Sequence, residues 1–174
     1  MRLTFLLALL VVASAARSEV FVDVGVAASE VQSAIANQIG KVNRSETGAH
    51  VGVGARRPVG ERGDIGVRLE LDSIGGDLYL AARALDYRFH ISERLAVSGY
   101  FGAARLDLAT PAYGYYFGVG GAWKNILEGW DLNLDLSLGD KVARDNLQPS
   151  DPQGGMPDNF HDVYSVRLSM SYGF

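Results

Sequence analysis

The sequence contains no cysteine among its 174 residues. A disulfide-stapled scaffold, a thiolate zinc site and a cysteine nucleophile are therefore excluded. A basic surplus is also missing, because 16 Lys and Arg stand against 20 Asp and Glu, for a formal net charge of −4. Nucleic-acid binders neutralise phosphates with extra cations, so this balance argues against that class of protein.

Long apolar runs are absent except at the N-terminus. There, basic Arg2 precedes an apolar stretch at 3–12 and the small residues Ala13, Ser14 and Ala15. This pattern predicts a secretory signal peptide at residues 1–18, with cleavage between 15 and 18, followed by a single domain at 19–174. This stretch of about ten residues, apolar except for Thr4, is too short to cross a ~30 Å hydrocarbon layer as a helix. No later window holds the ~18 uncharged apolar residues that a transmembrane helix needs. Insertion by strands stays open.

In the rest of the chain, apolar and polar residues alternate with a period of two. In the last segment Tyr164, Val166, Leu168, Met170, Tyr172 and Phe174 alternate with Ser165, Arg167, Ser169, Ser171 and Gly173. Successive side chains of a strand point to opposite faces of the sheet, so this segment has one apolar and one polar face.

The same pattern predicts eight strands, at about 19–27, 48–57, 64–72, 77–90, 95–105, 113–124, 130–138 and 161–174. Their apolar faces contain no charged residue, although 21% of the chain is charged. The fourth strand fits poorly, because strict alternation back from Leu85 places Arg83 on the apolar face and Leu78 and Leu80 on the polar one. A β-bulge near residues 81–84 would restore the pattern.

The residues on the polar faces indicate which side of each strand points inward. They combine glycines with ten charged residues, five of each sign: Asp23, Arg56, Arg68, Glu70, Asp86, Arg88, Lys124, Asp131, Asp135 and Arg167. Glycine weakens a solvent-facing strand, but in a narrow lumen it leaves room for long side chains from opposite strands. We therefore predict an all-β fold, an eight-stranded antiparallel up-and-down transmembrane β-barrel, in which these residues form an ion-pair network that fills the lumen. A narrow or gated pore is the alternative; a soluble sandwich or lipocalin-like barrel would place the apolar faces inward.

Aromatic residues cluster at the strand ends, as in the interfacial girdles of transmembrane barrels. One predicted girdle lies at the end that carries both termini and contains Phe21, Tyr87, Phe89, Trp123, Trp130, Tyr172 and Phe174. Tyr79, Tyr113, Tyr115 and Tyr164 are expected at the opposite end. The long connections 28–47 and 139–160 should lie outside the cell; within the first, residues 31–35 either form a helical turn capped by Ser29 or lengthen the first strand.

These features together resemble the small OmpA/OmpX-type outer-membrane β-barrels of Gram-negative bacteria. The resemblance covers nearly all of the chain after residue 18, including Leu85-Asp86-Tyr87-Arg88-Phe89, the segment 115–121 and the terminal Ser171-Tyr172-Gly173-Phe174. It implies a monomer in the outer membrane, with periplasmic termini, among membrane lipid and lipopolysaccharide. It also implies that Met170, Tyr172 and Phe174 form the signal read by the barrel-assembly machinery, and that the external loops could meet a host or phage ligand.

No active site or cofactor is expected, and we predict a non-catalytic role in membrane support or surface interaction. The second alternative is a lipid A-modifying hydrolase, since His90-Ile91-Ser92-Glu93 superficially resembles the His-x-Ser and Glu of such enzymes. That motif, however, falls at a predicted periplasmic turn. His161 and Asp162, near Ser165, are adjacent on a strand and so do not converge. The acidic residues Asp145, Asp151, Asp158 and Asp162 lack the spacing of a calcium loop, so no metal site is predicted.

Overall fold

The computed structural model describes residues 18–35, 41–107, 111–143 and 159–174. All but one residue of the predicted signal peptide lies outside these ranges, as do Asp145, Asp151 and Asp158. No helix in the described ranges is long and apolar enough to cross a membrane.

Eight antiparallel strands close into one barrel, in which each strand pairs with its neighbours in the chain and β1 pairs with β8. The strands are β1 (Glu19–Ile35), β2 (Lys41–Val59), β3 (Gly63–Ile74), β4 (Asp77–His90), β5 (Leu95–Asp107), β6 (Ala112–Leu127), β7 (Trp130–Ala143) and β8 (Asn159–Gly173). The predicted fold class is confirmed, and closure leaves the barrel wall without an unpaired sheet edge.

Side-chain burial follows the alternation of the sequence. On β8, Val166 and Leu168 are 47% and 48% exposed, whereas Arg167 between them is fully buried. The apolar face therefore points outward and the polar face lines the lumen. An outer surface of exposed Val, Leu and Phe running around the whole barrel is not stable against water, so it is a lipid-facing belt.

The height of this belt matches a membrane. On β8 the outward apolar positions run from Phe174 to Tyr164, and the next outward residue is Asp162. About ten steps of ~3.3 Å at the ~40° tilt of small barrels span ~25 Å. On β1 the outward apolar run likewise ends at Ala28, before Glu30.

A β-bulge in β4 changes the phase of that strand. Arg83 pairs with Gly102 and Leu85 with Phe101, so Ala84 is an extra residue without a counterpart on β5. The register against β3 shifts at the same place. Residues before the bulge change faces, and Leu80 turns outward while Arg83 turns into the lumen. The bulge predicted near 81–84 is present.

The strands on one side of the barrel are longer than predicted. Within the expected loop at 28–47, β1 continues to Ile35 and β2 begins at Lys41. Within the expected loop at 139–160, β7 continues to Ala143 and β8 begins at Asn159. The helical turn considered for 31–35 is wrong: those residues continue β1, and the Ser29 hydroxyl contacts the Ser165 hydroxyl at 2.8 Å instead of capping a helix. By contrast, β3 and β4 meet in a tight turn at Gly75 and Gly76, whose positive φ values suit a two-residue hairpin.

Replacing Leu134 or Leu168 with Arg should lower the free energy of unfolding by about 2–4 kcal/mol, because these paired, outward residues lie near the middle of the lipid-facing belt. The matched control is Asn43→Arg, which places the same charge on an outward position beyond the belt and should cost less than about 1 kcal/mol. Urea titration of the barrel in lipid vesicles measures both values. Equal losses at the two depths would show that the belt is not embedded in lipid.

Candidate functional site

The lumen contains a layer of buried charge built from strands on all sides of the barrel. Arg68 and Glu70 are two residues apart on β3, so both point inward, where they meet Arg83 from β4 and Asp135 from β7. Each of these four side chains is no more than 5% exposed. A charge buried this deeply is tolerated only when it is paired and hydrogen-bonded.

Glu70 is the centre of one half of this layer. Its Oε1 accepts hydrogen bonds from Arg83 Nη2 at 2.5 Å and from Arg68 Nη1 at 3.3 Å. Its Oε2 accepts the hydroxyl hydrogen of Tyr116 at 2.6 Å. Arg83 also donates from Nη1 to Asp135 Oδ1 at 3.2 Å and lies 3.4 Å from the centre of the Tyr100 ring. Charge-assisted bonds of this kind connect four strands across the lumen.

Asp72 is the centre of the other half. Its Oδ2 accepts a hydrogen bond from Arg167 Nε at 2.7 Å, and its Oδ1 lies 2.5 Å from His50 Nδ1. The opposite ring nitrogen of His50 lies 2.6 Å from Asp23 Oδ1. Both ring nitrogens thus face carboxylate oxygens, an arrangement that is satisfied when the imidazole is doubly protonated. Arg167 also donates to the Tyr116 hydroxyl at 2.9 Å, which links the two halves.

The ten predicted lumen residues do not form one network. Five join the layer around Glu70 and Asp72, and Asp86 borders it, 3.6 Å from Arg83. Nearer the termini, Arg88 pairs separately with Asp131 at 3.3 Å, and Arg56 lies 3.8 Å from Glu19. Lys124 is half-buried and makes no ion pair within 4 Å in the described part of the chain. The five predicted residues that belong to the layer around Glu70 and Asp72 are Asp23, Arg68, Glu70, Asp135 and Arg167.

Sequence reasoning missed four members of this layer. His50 and Asp72 are in phase with the inward residues of β2 and β3, but they lie at the ends of the predicted strands, where alternation is easiest to overlook. The inward direction of Arg83 depends on the bulge, although the sequence already showed that Arg83 breaks the alternation of this strand. Tyr116 alternates with outward Tyr115 and Phe117, so its phase places it in the lumen, but the pattern does not indicate that its hydroxyl joins the charged layer.

Above the charged layer, away from the termini, the lumen contains an apolar cluster. Tyr116 packs against Tyr100 and Tyr79, with ring centroids 5.6 Å and 6.3 Å apart. Small and branched residues surround them: Val31, Ile74, Ala81, Ala104, Leu106, Ala112, Val142 and Val163. The lumen therefore contains an apolar cluster in addition to the polar residues expected from the sequence. The void beside Arg68, Arg83 and Asp135 measures about 10 Å³, room for about one water molecule.

Two aromatic placements require correction. Phe21 was assigned to the girdle but is 2% exposed and lies in the lumen, with the Arg56 guanidinium 4.0 Å from its ring centre. It alternates with outward Val20 and Val22, so its phase, rather than its position at a strand end, determines its direction. Tyr79 also faces the lumen, because it precedes the bulge. The outer positions at the termini carry Tyr87, Phe89, Trp123, Trp130, Tyr172 and Phe174, of which the last three pack together.

The residues of the hydrolase alternative do not meet. His90 Nε2 lies 2.7 Å from Asp64 Oδ2, whereas the Ser92 hydroxyl oxygen accepts hydrogen bonds from the backbone N–H groups of Arg94 and Leu95 inside the turn. At the opposite end, His161 Nδ1 contacts the Ser33 hydroxyl at 2.8 Å. No set of three or more His, Asp or Glu side chains within the described ranges is arranged to hold a metal ion.

Replacing Glu70 with Gln should destabilise the barrel by about 3–5 kcal/mol, because Arg83 and Arg68 then lose a buried counter-charge. Tyr116→Phe removes the hydroxyl that links Glu70 and Arg167 and should cost about 1–3 kcal/mol. The control Asp107→Asn breaks an exposed pair with Arg105 and should leave the urea midpoint unchanged. If Glu70→Gln unfolded at the same urea concentration as the control, the ionic layer would have no stabilising role.

Comparison with known proteins gives structural matches only: no family model and no curated protein matches the chain. Three similar solved structures are of Ail, the attachment invasion locus protein of Yersinia pestis. A crystal structure is 12% identical, covering 91% of this chain and 99% of that one, with a TM-score of 0.57. Its complex with the heparin analogue sucrose octasulfate is 13% identical over the same shares, with a TM-score of 0.54. A backbone structure in a phospholipid nanodisc is 12% identical over 91% and 100%, with a TM-score of 0.50. The predicted resemblance to small outer-membrane barrels is thus confirmed at the level of the fold.

Proposed function

We propose that this chain is a monomeric, non-catalytic protein of the Gram-negative outer membrane, with both termini in the periplasm. Its role is to support the membrane or to present its external end to partners. The single observation that carries the proposal is the closed barrel with an apolar belt outside and paired charges inside. Such a surface is stable only in lipid, and a single-chain barrel of this kind is the form used in the outer membrane.

The orientation follows from the lengths of the connections. At the end with the termini, the strands are joined by the short segments 60–62, 91–94 and 128–129. At the opposite end the strands are joined through 36–40, 108–111 and 144–158, with only the β3–β4 turn as short. Outer-membrane barrels have short periplasmic turns and longer external loops, so the longer connections are assigned to the outside.

The lumen is proposed to be a plug instead of a pore. Two successive layers support this: the ionic layer around Glu70 and Asp72, and the apolar layer of Tyr79, Tyr100 and Tyr116 above it. An ion crossing the barrel would have to break charge-assisted bonds and then enter an apolar constriction. A narrow or gated pore would need both layers to open together.

The described residues of the external end do not form a polyanion site. The heparin analogue in one Ail structure is a sulfated, highly anionic molecule. In the described part of this chain, Arg44 and Arg105 at that end are each bonded to a carboxylate, Asp77 or Asp107, at 2.8 Å. Glu30 and Glu46 add further negative charge, so we propose that any external partner here is not a sulfated polysaccharide.

The plug predicts no steady single-channel current when the purified barrel is placed in a planar lipid bilayer. The double variant Tyr79→Ala and Tyr116→Ala, which removes two rings of the apolar layer, should conduct more than the unmodified chain if it folds. Boiling-dependent gel mobility verifies folding in each case. A steady current from the unmodified barrel would support the pore, and a loss of lipid A mass that His90→Ala abolishes would support the hydrolase.

A further inference from the structure

We propose that the mouth of the lumen at the end with the termini binds a soluble phosphate group between three inward cations, Arg56, Arg88 and Lys124. This site goes beyond the proposed function, which concerns the external end of the barrel. It depends on the closed barrel and on the pairing of its strands. The proposed orientation adds only that the ligand reaches the mouth from the periplasm.

The stagger of the strands defines which residues lie at the same height. One row of paired residues begins at Arg56 and, after passing through all the other strands, reaches β1 at Ser29. The residue of β1 that pairs with Arg56 directly is Glu19, ten residues nearer the start of the strand. The row therefore climbs away from the termini by about 1.25 residues per strand. Its members are Arg56, Gly66, Asp86, Tyr100, Gly118, Ser137, Ser165 and Ser29.

Corrected for this stagger, the three cations lie at about one height on alternate strands, β2, β4 and β6. On β4, two strands from Arg56, the corresponding residue lies about 2.5 positions nearer the termini than Asp86, which is close to Arg88. On β6, four strands away, it lies about five positions nearer the termini than Gly118, which is close to Lys124. Since all three side chains are on the inward face of their strands, they converge on the barrel axis.

Arg56 is buried without a hydrogen-bond partner. Its side chain is 8% exposed, and its guanidinium makes no hydrogen bond to another described residue. The nearest carboxylate oxygen, on half-exposed Glu19, is 3.8 Å from Nε. The Phe21 ring centre lies 4.0 Å from the guanidinium and covers one of its faces. The N–H groups lie in the guanidinium plane, so the ring leaves them available to an acceptor in the mouth. A buried charge of this kind is stabilised by a ligand that supplies a counter-charge and hydrogen bonds.

The other two cations also have capacity for a ligand. Lys124 is half-buried and makes no ion pair within 4 Å in the described part of the chain. Arg88 donates to Asp131 and to Asn133, but both distances are 3.3 Å, longer than is usual for a charge-assisted bond. An acceptor in the mouth can therefore share the Arg88 guanidinium with its present partners.

The carboxylates near this height are mostly engaged elsewhere. Asp131 Oδ1 accepts a hydrogen bond from the backbone N–H of Asn125 at 2.9 Å, in addition to the contact of Oδ2 with Arg88. Asp64 Oδ2 lies 2.7 Å from His90 Nε2. Glu19 is the carboxylate closest to Arg56, and its exposed side chain is held loosely enough to be displaced. A bound anion therefore competes with Glu19 and leaves the other pairs in place.

Phosphate is the ligand chemistry that suits three converging cations. Its oxygens accept hydrogen bonds in several directions, so one group can meet two guanidinium forks and an ammonium together. Small inward residues lie between the cations, Gly66 on β3 and Ala96 on β5, and leave space beside the longer side chains. The wall of the barrel separates this site from the bilayer. The ligand is therefore a phosphate that arrives from solution, as the free ion or as a soluble ester, and is not a lipid headgroup.

The test is titration calorimetry of the folded barrel in detergent with sodium phosphate, at constant ionic strength so that screening does not change. Arg56→Gln and Lys124→Gln should each weaken phosphate binding about tenfold, the loss expected for one charge-assisted bond. Glu19→Gln should tighten binding, because it removes the competing carboxylate. The matched control is Arg57→Gln, which alters the next residue of β2. Arg57 is exposed and points outward, so this variant should bind phosphate like the unmodified chain.

Two further ligands separate the sources of the phosphate group. Glycerol 3-phosphate, a soluble monoester, should compete with inorganic phosphate, whereas phosphatidylglycerol should not. Competition by the lipid would place the site on the outer wall and overturn the proposal. It would also be overturned by an unmodified chain that does not bind phosphate, or by equal weakening in Arg56→Gln and Arg57→Gln, which would indicate diffuse attraction.

None of these outcomes would affect the proposed function. That function fails separately if the unmodified chain shows no boiling-dependent mobility shift after refolding in phospholipid vesicles. The same measurement on every variant ensures that weakened binding is not a folding defect.

Discussion

A narrow barrel in lipid must keep its charged side chains away from the bilayer, and those that enter the lumen must be paired there. Most of the structure follows from this constraint. Eight strands enclose a space just wide enough for side chains, so a guanidinium from β4 can reach a carboxylate on β3 and another on β7. Inward glycines provide the room: a Cβ at Gly120 would collide with the Asp135 carboxylate, and one at Gly52 with that of Asp23. The lumen therefore combines long charged side chains on some strands with glycines on the strands that face them.

The bulge at Ala84 shows how much a single inserted residue can change in such a molecule. Because side chains alternate with a period of two, one extra residue reverses the direction of every residue before it on β4. Arg83 and Tyr79 enter the lumen, where one joins the ionic layer and the other the apolar layer, while Leu78 and Leu80 join the lipid-facing belt. The ionic layer around Glu70 thus depends on an irregularity of the strand.

The two ends of the barrel differ in ways that bear on function. Near the termini the lumen is polar, with the Arg88–Asp131 pair and Asn133, and the turns are short. At the opposite end the lumen contains the apolar cluster around Tyr116, and β1, β2, β7 and β8 extend past the lipid-facing belt. This asymmetry is the reason why we propose contacts on the outside of the barrel and no transport through it.

The sequence by itself determined the number of strands, the antiparallel barrel, the apolar belt and most of the charges that lie inside, because alternation with a period of two is a local property that survives in every strand. It also indicated a bulge as one way to place Arg83, and the pairing of β4 with β5 confirms that bulge. Only the tertiary structure decided which charges meet, since pairs such as His50 with Asp23 or Arg167 with Asp72 join residues far apart in the chain. It also showed that the phase of the strand, and not a position near its end, sets the directions of Phe21 and Tyr79, because Phe21 alternates with outward Val20 and Val22 and Tyr79 precedes the bulge.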